Sequence, residues 1–112
     1  PMEVETAVRA GAPVITIVAV DSGWGMERAA HRFKGIDEAR YQGTDISPEV
    51  RYDLMAEAMG AHGAYVTAMD QFVPALEAAV ASGKPAVIHV RVDGELNTNA
   101  IGYEQFQYSR TL

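Results

Sequence analysis

Six consecutive residues, Asp21, Ser22, Gly23, Trp24, Gly25 and Met26, hold the chemistry this sequence is best equipped to do. They follow a charge-free run rich in Val and Ile, P-V-I-T-I-V-A-V over residues 13–20, and a helical pattern begins at their end. A carboxylate at a strand end, then exposed glycine backbone, then a helix amino terminus suits a hard cation such as Mg2+. That ion takes one or two carboxylates, carbonyl oxygens and phosphate oxygens. The helix start favours phosphate on its own account, because its first N–H groups lack partners and carry partial positive charge. Open α/β sheets bind ligands just outside the carboxyl ends of their strands. The six residues therefore read as half of a Mg2+–diphosphate site. The same spacing also suits a purely structural outcome, in which Asp21 closes an Asx turn and the glycines bend the chain.

Other chemistries lack their residues. There is no Walker-type phosphate loop, no G-x-G-x-x-G after a strand, no His pair at metal spacing and no G-x-S-x-G elbow. His31, His62 and His89 are dispersed, and each reads as structural. Arg28 and Arg32, one helical turn apart, could meet an anion with Lys34, although solvated surface charge explains them more simply. Nine basic against fifteen acidic residues leave a formal charge of -6, the wrong sign for a nucleic-acid binder. With no cysteine, disulfides, thiolate metal sites and thiol nucleophiles are excluded, which fits a cytoplasmic protein. No apolar segment reaches the ~18 residues a membrane helix needs, and the amino end lacks signal-peptide order.

The elements that must position Asp21 follow from periodicity. Residues 2–10 read as a short helix with Val4, Ala7 and Val8 on one stripe. Residues 14–20 read as a strand buried on both faces, as in parallel sheets. A helix over residues 25–33 comes next, then an aperiodic surface loop over residues 35–46. Ser47-Pro48-Glu49 has the order of a helix cap, first-position proline and first-turn acid. Val50, Leu54, Met55, Ala58 and Met59 then form a stripe expected to face the core, and Gly60 ends the helix. A short strand near residues 64–66 precedes a helix over residues 70–82, with Phe72, Val73, Leu76, Ala79 and Val80 inward. Residues 86–92 make another apolar strand, in which His89 reads as a hydrogen-bonded residue near the strand end. This order predicts an α/β fold: a doubly wound, mostly parallel sheet with helices on both faces. Three strands are few for that architecture, so further sheet is expected outside these residues.

Taken together, these segments resemble the carboxyl-terminal part of the cofactor-binding domain of thiamine-diphosphate enzymes of the acetolactate synthase and 2-hydroxyacyl-CoA lyase type. M-E-V-E-T-A-V-R-A-G-A-P-V is similar to that family's helix and the approach to its metal-binding strand. V-D-S-G-W-G-M is similar to the second half of its cofactor motif, which begins G-D-G and ends about two dozen residues later in Asn-Asn or Asn-Asp. T-D-I-S-P-E-V-R-Y-D-L-M-A-E-A-M-G-A-H-G and A-L-E-A-A-V-A-S-G-K-P-A-V-I-H-V continue the likeness over roughly four fifths of the chain. Their order and spacing together are specific.

Carried over by position, the resemblance makes Asp21 a side-chain ligand of Mg2+ and Gly23 a carbonyl ligand. Ser22, Trp24, Gly25 and Met26 would border thiamine diphosphate. Two departures stand out: Val20 replaces the usual first Asn, and the G-D-G half is absent from this sequence. The glutamate that activates the cofactor belongs to another domain in the family, so no catalytic residue is expected among these 112 residues. Residues 1–92 are expected to form the carboxyl-terminal portion of the cofactor domain. Residues 93–112, with Tyr103, Phe106, Tyr108 and Arg110, form a tail that could cover the active site. The implied activity is a thiamine-diphosphate- and Mg2+-dependent carbon–carbon lyase or synthase, expected to cleave a 2-hydroxyacyl-CoA to a carbonyl compound and formyl-CoA. An acetolactate-synthase-like enzyme acting on a 2-oxo acid is the alternative, and a non-catalytic structural domain is another. The expected partners are the remainder of a longer parent chain and further copies of it, as a dimer or tetramer.

Overall fold

A computed structural model describes residues 2–40 and 43–94. Three parallel strands form its sheet: β1 (Ile15–Val20), β2 (His62–Val66) and β3 (Ala86–Arg91), in the order β1-β3-β2. The last strand in sequence is thus the central one. Ile15 pairs with Ala86 and Val20 with Arg91 on one side of β3, while His62 pairs with Ala86 and Val66 with Val90 on the other. Parallel neighbours cannot be joined by tight hairpins. Helices accordingly make the crossings, α2 (Gly25–Phe33) and α3 (Tyr52–Ala58) between β1 and β2 and α4 (Phe72–Ser82) between β2 and β3, while α1 (Met2–Ala10) precedes β1.

Alternation along β3 sorts two cores onto the two faces of the sheet. Ala86 and Ile88 pack with Val66 and Ala79, and Phe72, Ala75 and Leu76 of α4 close over them. Val87 points the other way, to Ala56 and Ala61, with Val4 and Val8 of α1, Val18 and Tyr52 around them. The expected α/β fold with helices on both faces is therefore present. Ile88 is fully buried, which stabilises the fold by about 1.5–3 kcal/mol relative to an exposed side chain. The last turn of α4 ends at Gly83, whose φ of 63° is the left-handed cap that glycine adopts without strain.

Four sequence expectations are corrected. The strand over residues 14–20 was expected to be buried on both faces, yet β1 is an edge strand with Val14 57% and Ile17 51% exposed. Ile17 lies on the face that carries α4, and α4 packs chiefly over β2 and β3. The helix expected from Ser47 starts at Tyr52 instead. Ser47 caps a turn, accepting from the Glu49 N–H through Oγ at 3.2 Å and from the Val50 N–H through its carbonyl at 3.2 Å. Along α3 the expected inward stripe is rotated: Leu54, Met55 and Ala58 are exposed, whereas Asp53 and Ala56 are buried. Asp53 turns inward because Arg51 and His89 pair with it there. In α4, Phe72, Leu76 and Ala79 face inward as expected, but Val73 and Val80 are exposed. Residues 95–112 of the tail lie outside the described residues.

Candidate functional site

The chain leaves β1 at Val20 and turns sharply. Ser22 adopts a φ of 58°, and the Gly23 N–H donates to Asp21 Oδ1 at 3.1 Å. This is an Asx turn, so the structural reading of Asp21 is realised. It leaves Oδ2 to be accounted for. A Cβ on Gly25 would sit 3.1 Å from Asp21 Oδ2, and one on Gly94, just beyond β3, would sit 3.4 Å from the same oxygen. Two glycines from separate segments thus keep the second carboxylate oxygen clear.

A second segment braces the turn. Residues 43–46 run antiparallel to it, with the Trp24 N–H donating to the Thr44 carbonyl at 2.8 Å and the Ile46 N–H to the Ser22 carbonyl at 3.0 Å. Those two bonds leave the Gly23 carbonyl out of the pairing. The hydroxyl oxygens of Ser22 and Thr44 are buried beside the turn with no hydrogen-bond partner among the described residues. Buried hydroxyls without partners are uncommon and call for an explanation such as a bound ion or water. The guanidinium of Arg28 lies against Gly23, donates to the Ser22 carbonyl at 3.4 Å and pairs with Asp45.

α2 begins directly after the turn, and its first residues have no side-chain cap. A helix start attracts an anion through its first N–H groups and partial positive charge. Trp24 and Met26 are 55% and 66% exposed, so an apolar wall borders the same space. The structure brings Asp21, Ser22, Gly23, Trp24, Gly25 and Met26 together at the carboxyl end of β1, where the sequence reading put them. The reading missed Thr44, Asp45 and Gly94, and it named Arg28 only as a possible anion contact, not as a neighbour of the turn. Only V-D-G at residues 92–94, echoing V-D-S-G at residues 20–23, hinted at one of them.

The dispersed histidines do not converge on this turn. His89 is fully buried on the α3 face, its Nδ1 accepting from the Tyr52 N–H at 3.4 Å, with Asp53 Oδ1 at 3.7 Å. It is the hydrogen-bonded strand residue expected from the sequence. Arg51 donates through Nε to Asp53 Oδ1 at 2.8 Å, makes a second bond to Oδ2, and lies 3.8 Å from the Tyr65 ring centroid. The Arg51 hydrogen bond holds the Asp53 carboxyl below its ordinary range, while burial depresses the His89 imidazole. Arg28 and Arg32 pair with loop acids, Asp45 and Glu38.

Residues 1–90 match the family model described as thiamine pyrophosphate enzyme, C-terminal TPP binding domain. The chain belongs to this family. Thiamine pyrophosphate is thiamine diphosphate, so the sequence resemblance identified the same cofactor. Among relatives, a probable acetolactate synthase of Mycobacterium bovis is 35% identical over 96 residues, covering 82% of this chain and 16% of that protein. A 2-hydroxyacyl-CoA lyase of Oryza sativa subsp. japonica is 36% identical over 94 residues, again 82% and 16%. An oxalyl-CoA decarboxylase of Escherichia coli K12 is 32% identical over 102 residues, covering 88% and 17%. The chain therefore spans about a sixth of the length of the curated relatives it matches. This thiamine pyrophosphate domain is thus akin to synthases, lyases and decarboxylases alike, and its three-stranded parallel sheet fits the family's α/β form. Among the described residues, no helix is long and apolar enough to cross a membrane.

Proposed function

We propose that this chain forms half of the Mg2+–diphosphate anchor in a thiamine-diphosphate-dependent enzyme that breaks or makes a carbon–carbon bond. The observation that carries the reading is the Asp21 turn, with one carboxylate oxygen tied to Gly23 and the other kept clear by Gly25 and Gly94. Hard cations take oxygen ligands, and Asp21 Oδ2 with the Gly23 carbonyl would supply two of them. The buried hydroxyls of Ser22 and Thr44 are further oxygens beside the turn. The uncapped start of α2 would receive diphosphate oxygens, and Trp24 and Met26 would shield the site from water. When bound, thiamine diphosphate supplies the electron sink for cleavage next to a carbonyl. The residues of this chain bind and orient it; the group that activates it would come from another domain.

The anchor needs a second half. The relatives are about five times as long, and Ile17 stays half exposed on the α4-side face of β1. Both support a role within a longer polypeptide whose upstream part completes the metal site and continues the sheet; assembly of that polypeptide as a dimer or tetramer is part of the same proposal. As substrate we assign a 2-hydroxyacyl-CoA, cleaved to a carbonyl compound and formyl-CoA. The likeness to the lyase of Oryza sativa supports that assignment. The similar likeness to a probable acetolactate synthase supports a second reading, condensation of 2-oxo acids.

The test is to supply the full-length protein, loaded with thiamine diphosphate and Mg2+, with a 2-hydroxyacyl-CoA and separately with pyruvate. Formyl-CoA from the first is the expected result. Acetolactate from the second would move the assignment to the synthase reading, and no turnover of either would favour a non-catalytic domain.

A further inference from the structure

The Arg28–Asp45 pair has no part in the chemistry assigned above, yet it touches the turn from below. The Arg28 side chain is 25% exposed and that of Asp45 79%, so the guanidinium is largely enclosed by the loop it holds. A Cβ on Gly23 would lie 2.4 Å from Arg28 Cζ and 2.5 and 2.7 Å from its terminal nitrogens. The guanidinium is therefore seated directly on the Gly23 backbone, in room that only a glycine leaves. From there it donates to the Ser22 carbonyl at 3.4 Å and pairs with Asp45, the residue opposite Gly23 in the antiparallel bridge.

The Ser22 carbonyl consequently accepts from two donors, Arg28 and the Ile46 N–H. The Gly23 carbonyl shares a peptide plane with the Trp24 N–H, which donates to the Thr44 carbonyl at 2.8 Å, so holding residues 44–46 against the turn also sets the direction of the Gly23 carbonyl. Gly23 itself has no side chain to hold the aim, and Ser22 sits in the left-handed region with no glycine to relax it. Arg32, one turn further along α2, pairs with Glu38 and ties the same loop down a second time.

We propose that Arg28 is a positioning residue for the metal turn: by clamping Ser22 and Asp45 together it sets the direction of the Gly23 carbonyl. This rests on the reading of Asp21 and Gly23 as Mg2+ ligands. Partners that orient metal ligands from behind typically contribute ten- to a hundredfold to metal affinity. A specific consequence follows for substitutions. The clamp needs a cationic donor with the reach to meet both the Ser22 carbonyl and Asp45, so Arg28→Lys can keep part of it, whereas a neutral side chain without donors cannot.

The experiment uses the full-length protein and reads binding, not turnover. Mg2+-dependent thiamine diphosphate affinity is measured by titration calorimetry for Arg28→Met, Arg28→Lys, Asp45→Asn and Asp21→Ala. Amide hydrogen exchange at Trp24 and Ile46 is followed in the cofactor-free protein. Arg28→Met is expected to weaken Mg2+ binding about tenfold or more, with Asp45→Asn weaker in effect, faster exchange at both amides and an almost unchanged unfolding temperature. Arg28→Lys, which keeps the charge and a donor, is expected to bind more tightly than Arg28→Met. Asp21→Ala separates the two layers. Loss of binding in Asp21→Ala with unchanged Mg2+ affinity in Arg28→Met and Asp45→Asn would overturn the positioning role and leave the metal reading intact. Unchanged binding in Asp21→Ala would remove the metal reading, and the positioning role with it. Should Arg28→Met fail to fold, Asp45→Asn at its exposed position decides the same question.

Discussion

β1 and β3 are strands of six residues with nearly equal apolar character, and they are used in opposite ways. In β3 the first four residues, Ala86, Val87, Ile88 and His89, are all buried, with a helix packed on each face. In β1 only Val20 is buried, and Ile17, the register partner of Ile88, is half exposed. The ends differ as sharply. β3 carries an imidazole near its end that is enclosed by Tyr52, Asp53 and Tyr65. β1 ends in a carboxylate with one oxygen tied and the other held open. One strand is finished as structure, and the other is shaped for something that lies next to it. An apolar run records how much burial a strand was selected for, which can exceed the burial found within these residues alone.

The largest expected effect tests that contrast directly. Ile88→Ala in this chain should cost about 2–5 kcal/mol in chemical denaturation, as buried Ile or Leu truncations do, whereas Ile17→Ala should cost under about 1 kcal/mol, as exposed positions do. In the full-length protein, where the upstream sheet is proposed to cover β1, the Ile17→Ala cost should rise severalfold. Equal small costs in both settings would break the idea that β1 is an unfinished face.

The Asp53 cluster offers the next effect. Asp53→Ala strands the buried His89 without its nearest acid and frees Arg51, so its unfolding temperature should fall more than that of Leu54→Ala, although leucine is the apolar residue. The opposite ranking would return α3 to the orientation its apolar stripe predicts.

Acid should act on the same cluster. Burial places the His89 pKa below 6.5, so the unfolded chain takes up this proton first. Stability is then fully present above about 6.5 and declines as pH falls from there toward the folded pKa. Asp53, also depressed, adds a further loss as pH falls below its ordinary range near 3.8. Thermal melts between pH 7.5 and 5 should slope downward, and His89→Gln, which keeps an acceptor for the Tyr52 N–H, should flatten that slope. A slope unchanged by His89→Gln would assign the acid sensitivity to other groups.

Much of this fold was legible in the residues. Helix limits at Met2–Ala10 and Gly25–Phe33 followed from periodicity and glycine stops, and β3 from its Val and Ile run. The departures have a common physical origin. Ser47-Pro48-Glu49 satisfies a cap locally, but the chain uses that chemistry for a turn, because Arg51 must reach Asp53 across the start of α3. Leu54 and Met55 lost the inward face to Asp53, since a buried ion pair can outweigh a hydrophobic stripe once Arg51 and His89 meet it. At the candidate site the local half was readable, because Asp21, Gly23 and Gly25 are neighbours in sequence. Arg28, Thr44, Asp45 and Gly94 were not, because tertiary folding alone brings them to the turn.

The most direct measurement is Mg2+-dependent binding of thiamine diphosphate to the full-length protein and to its Asp21→Ala variant, by calorimetry, with the fold checked by circular dichroism. Asp21 as a metal ligand predicts a native spectrum and loss of Mg2+-dependent binding. A native spectrum with unchanged affinity would leave Asp21 as nothing more than the residue that closes the turn after β1.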